Sequence, residues 1–485
     1  MIFTNSNLIE KNIFDVVIVG SGAAGITLAL EFEKKQIKVA LIEAGQRNYS
    51  NESQSNYKGE IEGLFPRDPD ISRLRMFGGT TGHWGGTCRT LDEYDFNKWP
   101  INKNNLNTYL SDSTKILKIK NSFKNESINS NLNLIEFQVS KVKFGNVFYE
   151  KIKKSKFIHL FLNCPVIEII GDNFIVSKVK CFSETDKKEF NLWGKVFVLA
   201  TGGIENSRML LIEKMKKKNL FNHNLPIGNY WYEHPFMELG KAIVNKEKLK
   251  NKLNTSLNHF VNMFNAGDNS DAYSFAPTSK LMKEKKILNS CCWLVTHDRS
   301  NKGWKNIAKN LLCEAPNLSN KFLKFINRSV SCGATIYSSW EQDPEFSNKV
   351  VLSDKKDKFG NPRPKLIYKK SELVRRTART VFEEIGYYLI KNDLGRVVGN
   401  SFLFESNVDY ISEAGWHHMG GTIMGDYNKN SVVDENLKIH GSKNLFVLGS
   451  SSFPSCGHAN PTLTIMQLTF RLNEHLLKNY FKQKV

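Results

Sequence analysis

Two C-terminal segments carry side chains suited to moving a proton. Trp416-His417-His418-Met419-Gly420-Gly421-Thr422 supplies an imidazole, and Gly457-His458-Ala459-Asn460-Pro461-Thr462 supplies an amide. A neutral imidazole is a fit acceptor near pH 7, because its unperturbed pKa is about 6.5. An amide N–H can hydrogen-bond an oxygen on which negative charge develops. More than four hundred residues earlier stands a site of another kind, Asp15-Val16-Val17-Ile18-Val19-Gly20-Ser21-Gly22-Ala23-Ala24-Gly25. Its glycines follow the G-x-G-x-x-G spacing of a dinucleotide site. Proton chemistry beside a redox dinucleotide is the pattern expected for oxidation of an alcohol.

These residues need elements to hold them. Residues 15–19 form an apolar, β-branched run too short for a helix, which predicts a buried strand of a parallel sheet. Gly20 allows the tight turn, Gly22 lets the backbone approach a pyrophosphate, and Gly25 lets a helix pack close to the strand. A helix over 23–35, with Ala24 in its first turn, points its free N–H groups and dipole at the phosphates. Glu43, after Val39-Ala40-Leu41-Ile42, stands where a carboxylate should hold ribose hydroxyls. This motif alone does not separate NAD from FAD. The segment Phe77-Gly78-Gly79-Thr80-Thr81-Gly82-His83-Trp84-Gly85-Gly86 is rich enough in glycine to lie against a flat ligand, and Arg89 could neutralise phosphate.

The order of these pieces resembles the glucose–methanol–choline (GMC) oxidoreductase family over most of the chain. Beside the two loops above stand Glu43-Ala44-Gly45, Cys88-Arg89-Thr90-Leu91-Asp92 and Trp99-Pro100. Further on come Val198-Leu199-Ala200-Thr201-Gly202-Gly203-Ile204-Glu205-Asn206, Ile227-Gly228-Asn229-Tyr230-Trp231-Tyr232-Glu233-His234-Pro235 and the two C-terminal segments. The spelling is most similar to the pyranose-oxidising branch. The resemblance implies FAD, held by Gly20, Gly22, Ala24, Gly25, Glu43, Gly78, Gly79, Thr80, His83, Trp84, Gly85, Gly86, Ala200, Gly202, Gly449, Ser450, Pro461 and Thr462. It implies His417 as general base and Asn460 as hydrogen-bond donor to the substrate oxygen, while His418 is expected to be structural. His458 is expected to line the cavity. Some members link FAD covalently to a histidine at the place of His83 and others do not, and both outcomes stay open here. One departure is the stretch Val447-Leu448-Gly449-Ser450-Ser451, which has no acid where many members carry one.

The implied fold is α/β, an FAD-binding Rossmann-like domain joined to an antiparallel-sheet substrate domain. Residues 1–240 form the first pieces of the FAD domain, 241–410 the substrate domain, and 411–485 the return that carries the catalytic pair. Residues 157–200 read as an antiparallel excursion from the parallel sheet, 118–133 as a mobile loop, and 371–392 as an amphipathic helix. Trp293, Trp340, Phe402 and Phe404 are candidate cavity walls. The implied reaction is oxidation of a secondary alcohol of a sugar or glycoside to a ketone, with a choline-like, sterol or aliphatic alcohol as the alternative substrate. Oxygen, a quinone or a redox carrier would take the electrons.

Composition narrows the partners. The 485 residues carry a net charge of +20, but the basic residues are scattered without a basic–aromatic repeat, so nucleic acid is not expected. The eight cysteines form no C-x-x-C pair, so neither a metal site nor dithiol chemistry is expected. No stretch approaches the ~18–20 apolar residues of a membrane span, and residues 2–13 are polar, so a cytoplasmic enzyme is expected.

Overall fold

Two large sheets of different construction divide the work in this chain, whose computed structural model describes residues 2–3, 13–63, 68–254, 271–296, 332–345, 347–369, 371–409, 415–427 and 430–483. The first sheet runs Ile2–Phe3, Ile158–Phe161, Val39–Ile42, Ile13–Val19, Lys188–Leu199, Ile175–Ser183, Val166–Asp172, with Leu445–Val447 beside Lys188–Leu199. Within its inner strands, Val16–Val19 and Val39–Ile42 are apolar and buried. That is expected where helices cover both faces of a parallel sheet. The strand Lys188–Leu199 serves two arrangements. Its first half pairs antiparallel with Ile175–Ser183, and its second half pairs parallel with Ile13–Val19 and Leu445–Val447. The antiparallel excursion read from residues 157–200 is therefore present.

The second sheet is antiparallel throughout, in the order Gly395–Gly399, Phe236–Val244, Cys332–Trp340, Ser290–Thr296, Asp271–Pro277, Leu132–Val139, Thr87–Cys88. Three of its strands precede residue 241, where the sequence puts the start of the substrate domain. Leu132–Val139 joins this sheet, and Asn125–Ser127 pairs with it. The segment 118–133 thus contains strand, not only loop. Its Asn-, Ser- and Lys-rich composition conceals that pairing, because an exposed edge strand needs no apolar residues. Segments 255–270 and 297–331 of the expected substrate domain lie outside the described residues.

Helix Glu372–Lys391 backs the second sheet with Val374, Ala378, Val381, Phe382, Ile385 and Leu389, all buried. Its N-cap Ser371 accepts from Val374 N. Helix Pro461–Asn479 closes the first sheet, with Leu463, Met466, Leu468 and Leu472 buried in the core around that sheet. Each such side chain contributes about 1.5–3 kcal/mol, enough to hold the helix start rigidly. Proline at its first position suits the turn, since the missing N–H has no partner there in any case.

Candidate active site

Three strand ends of the first sheet meet on one side: Gly20 after Ile13–Val19, Ala200 after Lys188–Leu199, and Leu448 before Gly449 after Leu445–Val447. Ligands of open α/β sheets bind outside such carboxyl ends. The glycines there fall into two kinds. A methyl group on Gly20 (φ +105°) would lie 2.4 Å from Ala200 O, and one on Gly25 would lie 1.9 Å from Gly20 O. These two are needed by the protein's own packing. A methyl group on Gly22 or Gly202 would meet no protein atom within 4 Å, and one on Gly449 only Asn206 Nδ2 at 3.6 Å. Those three border open space, a cradle floored by backbone.

The surroundings of the cradle match a dinucleotide. Helix Ala23–Lys34 starts at Gly22 with no side-chain cap and no acid in its first turn, so its first N–H groups remain available to an anion. Glu43 is buried and accepts from Ser21 Oγ (2.7 Å), Ser21 N (3.3 Å) and Gly45 N (2.7 Å). The glycine-rich segment folds over the same loop. Gly78 (φ +89°) donates its N–H to Ser21 O at 3.0 Å, and a methyl group on Gly79 would stand 3.1 Å from Gly22 Cα. Thr80 Oγ1 accepts from Leu74 N, Gly86 is pinned against Ser140, and Trp84 Nε1 donates to Val142 O. Gly85 and His83 are exposed. A cavity lined by Val19, Ala44, Tyr57, Val166, Thr201 and Glu205 continues from the strand ends.

The proton-bearing side chains gather at a second corner. Asn460 is the N-cap of helix Pro461–Asn479, yet its side chain makes no capping bond. It turns instead to His417, with Nδ2 3.2 Å from Nε2. Ser450 Oγ donates to His418 O, and Gly420 N donates to Ser450 O, so the two segments run side by side. Tyr232 and Met419 exchange backbone bonds, which brings Glu233 and His234 against His417. His234 Nδ1 is 2.8 Å from His417 Nδ1, and Glu233 accepts the His417 backbone N–H. Trp416 (φ +59°) carries the turn, and its ring centroid lies 6.1 Å from that of His83.

Burial sets the electrostatics of this corner. It pushes His417 down to about 4, and His234 and His418 well below the usual histidine value. It lifts the Glu233 carboxyl to about 8, against the pull of the two backbone N–H groups of His417 and His234. At neutral pH the corner therefore holds neutral rings and a protonated acid. His234, His418 and His458 are buried, whereas His417 and Asn460 keep part of their surface open.

Several expectations shift. Arg89 is buried, with Nη1 on Glu136 O (2.8 Å) and Lys124 O (3.1 Å) and Nη2 3.4 Å from Asp92, so it is committed to the protein and not to a phosphate. His458 Nδ1 pairs with Asn289 Oδ1 at 2.9 Å, away from His417. His418 bonds Ser72 Oγ at 2.7 Å. Trp293, Trp340 and Phe402 are buried, while Phe404 is exposed. Large aromatics pack in cores before they line cavities. His234 and Glu233 went unassigned from sequence, although Glu233-His234-Pro235 was visible as a motif.

Residues 344–469, which include His417 and Asn460, match the family model described as GMC oxidoreductase. That segment is similar to the C-terminal domain of the GMC oxidoreductases. Residues 14–227 match the model described as pyridine nucleotide-disulphide oxidoreductase; that stretch carries the dinucleotide loop. The chain is 26% identical over 301 residues to the fructose dehydrogenase large subunit of Gluconobacter japonicus, covering 61% of this chain and 50% of that protein. It thus spans about half the length of that curated relative. A formate oxidase structure superposes with a TM-score of 0.60 at 14% identity, covering 98% of this chain and 99% of its own. A mutant of the Aspergillus oryzae formate oxidase, examined for FAD modification, gives 0.58 at the same identity and coverage. At this identity the likeness establishes the fold. The backbone cradle fits FAD, the cofactor of this family: Gly22, Gly202 and Gly449 leave the room a flat, phosphate-bearing ligand requires. Among the described residues no group of His, Cys, Asp and Glu could hold a metal, and no helix is long and apolar enough to cross a membrane.

Proposed function

We propose that this protein is a GMC oxidoreductase that oxidises a secondary hydroxyl of a sugar or glycoside to a ketone. The observation that carries the reading is the meeting of His417 Nε2 and Asn460 Nδ2 at 3.2 Å, both partly open, at the start of the helix that closes the cofactor sheet. Bound FAD supplies the hydride acceptor. His417 takes the hydroxyl proton at Nε2, as a general base held neutral by burial. Asn460 donates an N–H to the same oxygen as charge develops on it. The uncapped start of helix Pro461–Asn479, with Pro461 and Thr462, favours negative charge nearby. Gly20, Gly25 and Gly78 shape the cradle, and Gly22, Gly202 and Gly449 border the ligand. Ala24 follows at the helix start, Ala200 and Ser450 at the strand ends, and Glu43 takes the ribose. Gly79, Thr80, His83, Trp84, Gly85 and Gly86 cover the site.

Sugar as substrate is supported by the relative named as a fructose dehydrogenase subunit and by the pyranose-like spelling around His417 and Asn460. The electron acceptor is oxygen, a quinone or a redox carrier. Cys88, Cys164, Cys181, Cys291, Cys292 and Cys456 are free and buried, which suits the reducing, cytoplasmic interior this reading gives the enzyme. Anaerobic bleaching of the flavin is the test, run against sugars, glycosides, choline-like and aliphatic alcohols. Bleaching by a sugar or glycoside, with a keto product by mass and NMR, supports the proposal. Bleaching by non-sugar alcohols alone overturns the substrate and leaves the family.

A further inference from the structure

The protons of the second corner can be placed one by one. Gly457 O lies 2.9 Å from His234 Nε2. A carbonyl oxygen only accepts, so Nε2 of His234 carries the proton. Burial keeps the His234 ring neutral, which leaves its Nδ1 bare. That bare nitrogen stands 2.8 Å from His417 Nδ1, so His417 must be the donor there. The His417 ring is neutral too, and its Nε2 is then bare, facing the N–H of Asn460 at 3.2 Å. Donor and acceptor alternate without conflict from Asn460 through both rings to Gly457.

We propose that His234 is a positioning residue that fixes His417 in the Nδ1-protonated tautomer, so that the unprotonated Nε2 faces the substrate hydroxyl. The inference rests on the reading of His417 as the base. The opposite polarity fails on one contact. Cys456 Sγ is 2.9 Å from His234 Nε2, and a thiol proton given to that nitrogen would reverse every bond in the chain. It would also leave a bare Nε2 against the Gly457 carbonyl, lone pair to lone pair. The thiol has a compatible alternative, since Sγ also lies 3.4 Å from Gly457 O and can donate there. Glu233 holds the two rings in register, because its Oε1 accepts the backbone N–H of His234 (3.1 Å) and that of His417. The ring planes stand at 87° with centroids 5.0 Å apart.

The test uses the holoprotein with 15N-labelled histidine rings, the His417 signals being assigned by their loss in His417→Asn. A protonated Nδ1 and bare Nε2 on His417 are expected; a protonated Nε2 in the resting enzyme overturns the proposal. His234→Gln can restore the pattern, accepting through Oε1 and donating through Nε2, so it should keep the tautomer and most of kcat. His234→Leu cannot; it should show mixed tautomers and lower kcat by about tenfold or more, with KM little changed, since a misplaced imidazole proton is costly. A folded His234→Leu enzyme with the Nδ1–H tautomer and kcat intact would also overturn it. Should that variant not fold, the wild-type and Gln spectra still decide. Undiminished turnover in His417→Asn would remove the base itself, whereas a wrong tautomer beside an inactive His417→Asn would remove only the role of His234.

Discussion

The cofactor cradle and the proton corner are built from opposite materials. The cradle is backbone: Gly20 and Gly25 allow close packing, and Gly22, Gly202 and Gly449 leave space. The corner is side chain: His234, Glu233, His417 and Asn460 reach one another from three separate stretches of sequence. A backbone site tolerates no added atoms but asks little of its neighbours' chemistry. A side-chain site tolerates small changes of shape but depends on every proton being in place.

The sharpest break between the two is a single valine in the cradle. Gly22 has ordinary extended geometry (φ −73°, ψ −172°) and open space at its Cβ. Gly22→Val should therefore fold and purify colourless, with bound FAD lost entirely. By contrast, Gly25→Val would drive its Cβ into Gly20 O and should yield no soluble protein. A yellow Gly22→Val enzyme would show that the open space is not the ligand's.

In the corner the cofactor should survive and the chemistry should not. His417→Ala is expected to slow flavin reduction by about a hundredfold or more, and Asn460→Ala by a similar order, both remaining yellow. Stopped-flow reduction of the two variants checks this, and a near-normal rate for His417→Ala removes the base.

The pH profile sharpens the same point. A base held at about 4 by burial stays unprotonated down to that pH, so the acid limb of kcat/KM should fall near pH 4. A limb near 6.5 would show a solvated imidazole. Stability moves differently. The folded values of His234, His417, His418 and His458 lie below the unfolded one. The unfolded chain thus binds more protons, and stability drops as pH falls below about 6.5. Glu233 acts in the other direction. Its value is raised to about 8, so its contribution is complete below the unfolded carboxylate range and is lost as pH rises toward 8. The smallest expected effect follows. Glu233→Gln keeps an acceptor for the His417 and His234 N–H groups and removes the ionisation. It should gain on the order of 2 kcal/mol relative to wild type between pH 5 and pH 8, read as thermal midpoints. A constant difference across that range would show that Glu233 is ionised in the folded enzyme.

The cradle was largely legible in the sequence because its rules are local. A strand, three spaced glycines and a helix follow one another within residues 13–34, and helices 372–391 and 461–479 announce themselves by apolar spacing, a cap or a proline. The corner was legible only in part. His417 and Asn460 stood out by motif spelling, but nothing local shows that His234 will face His417 across 183 positions of sequence. Arg89 read as a phosphate ligand because its positive charge was visible and the carbonyls of Glu136 and Lys124 that satisfy it were not. Trp293 and Trp340 read as cavity walls for a similar reason: aromatic rings suit a sugar, and only the fold shows that these are core.

The strand Lys188–Leu199 has an implication for how the enzyme is made. Its last residues, Phe197 to Leu199, pair with Leu445–Val447, and the glycine that finishes the cradle is Gly449. More than four hundred residues separate that glycine from Gly22. At a synthesis rate of about 5–20 residues per second, the nascent chain carries a half-built cofactor site for roughly 20–90 s. Once made, the edge of Phe197–Leu199 offers unpaired N–H and C=O groups to any passing strand for about 12–50 s, until Leu445–Val447 is synthesised. The yield of active enzyme in a cell should depend on how well that edge is shielded until the last strand reaches it.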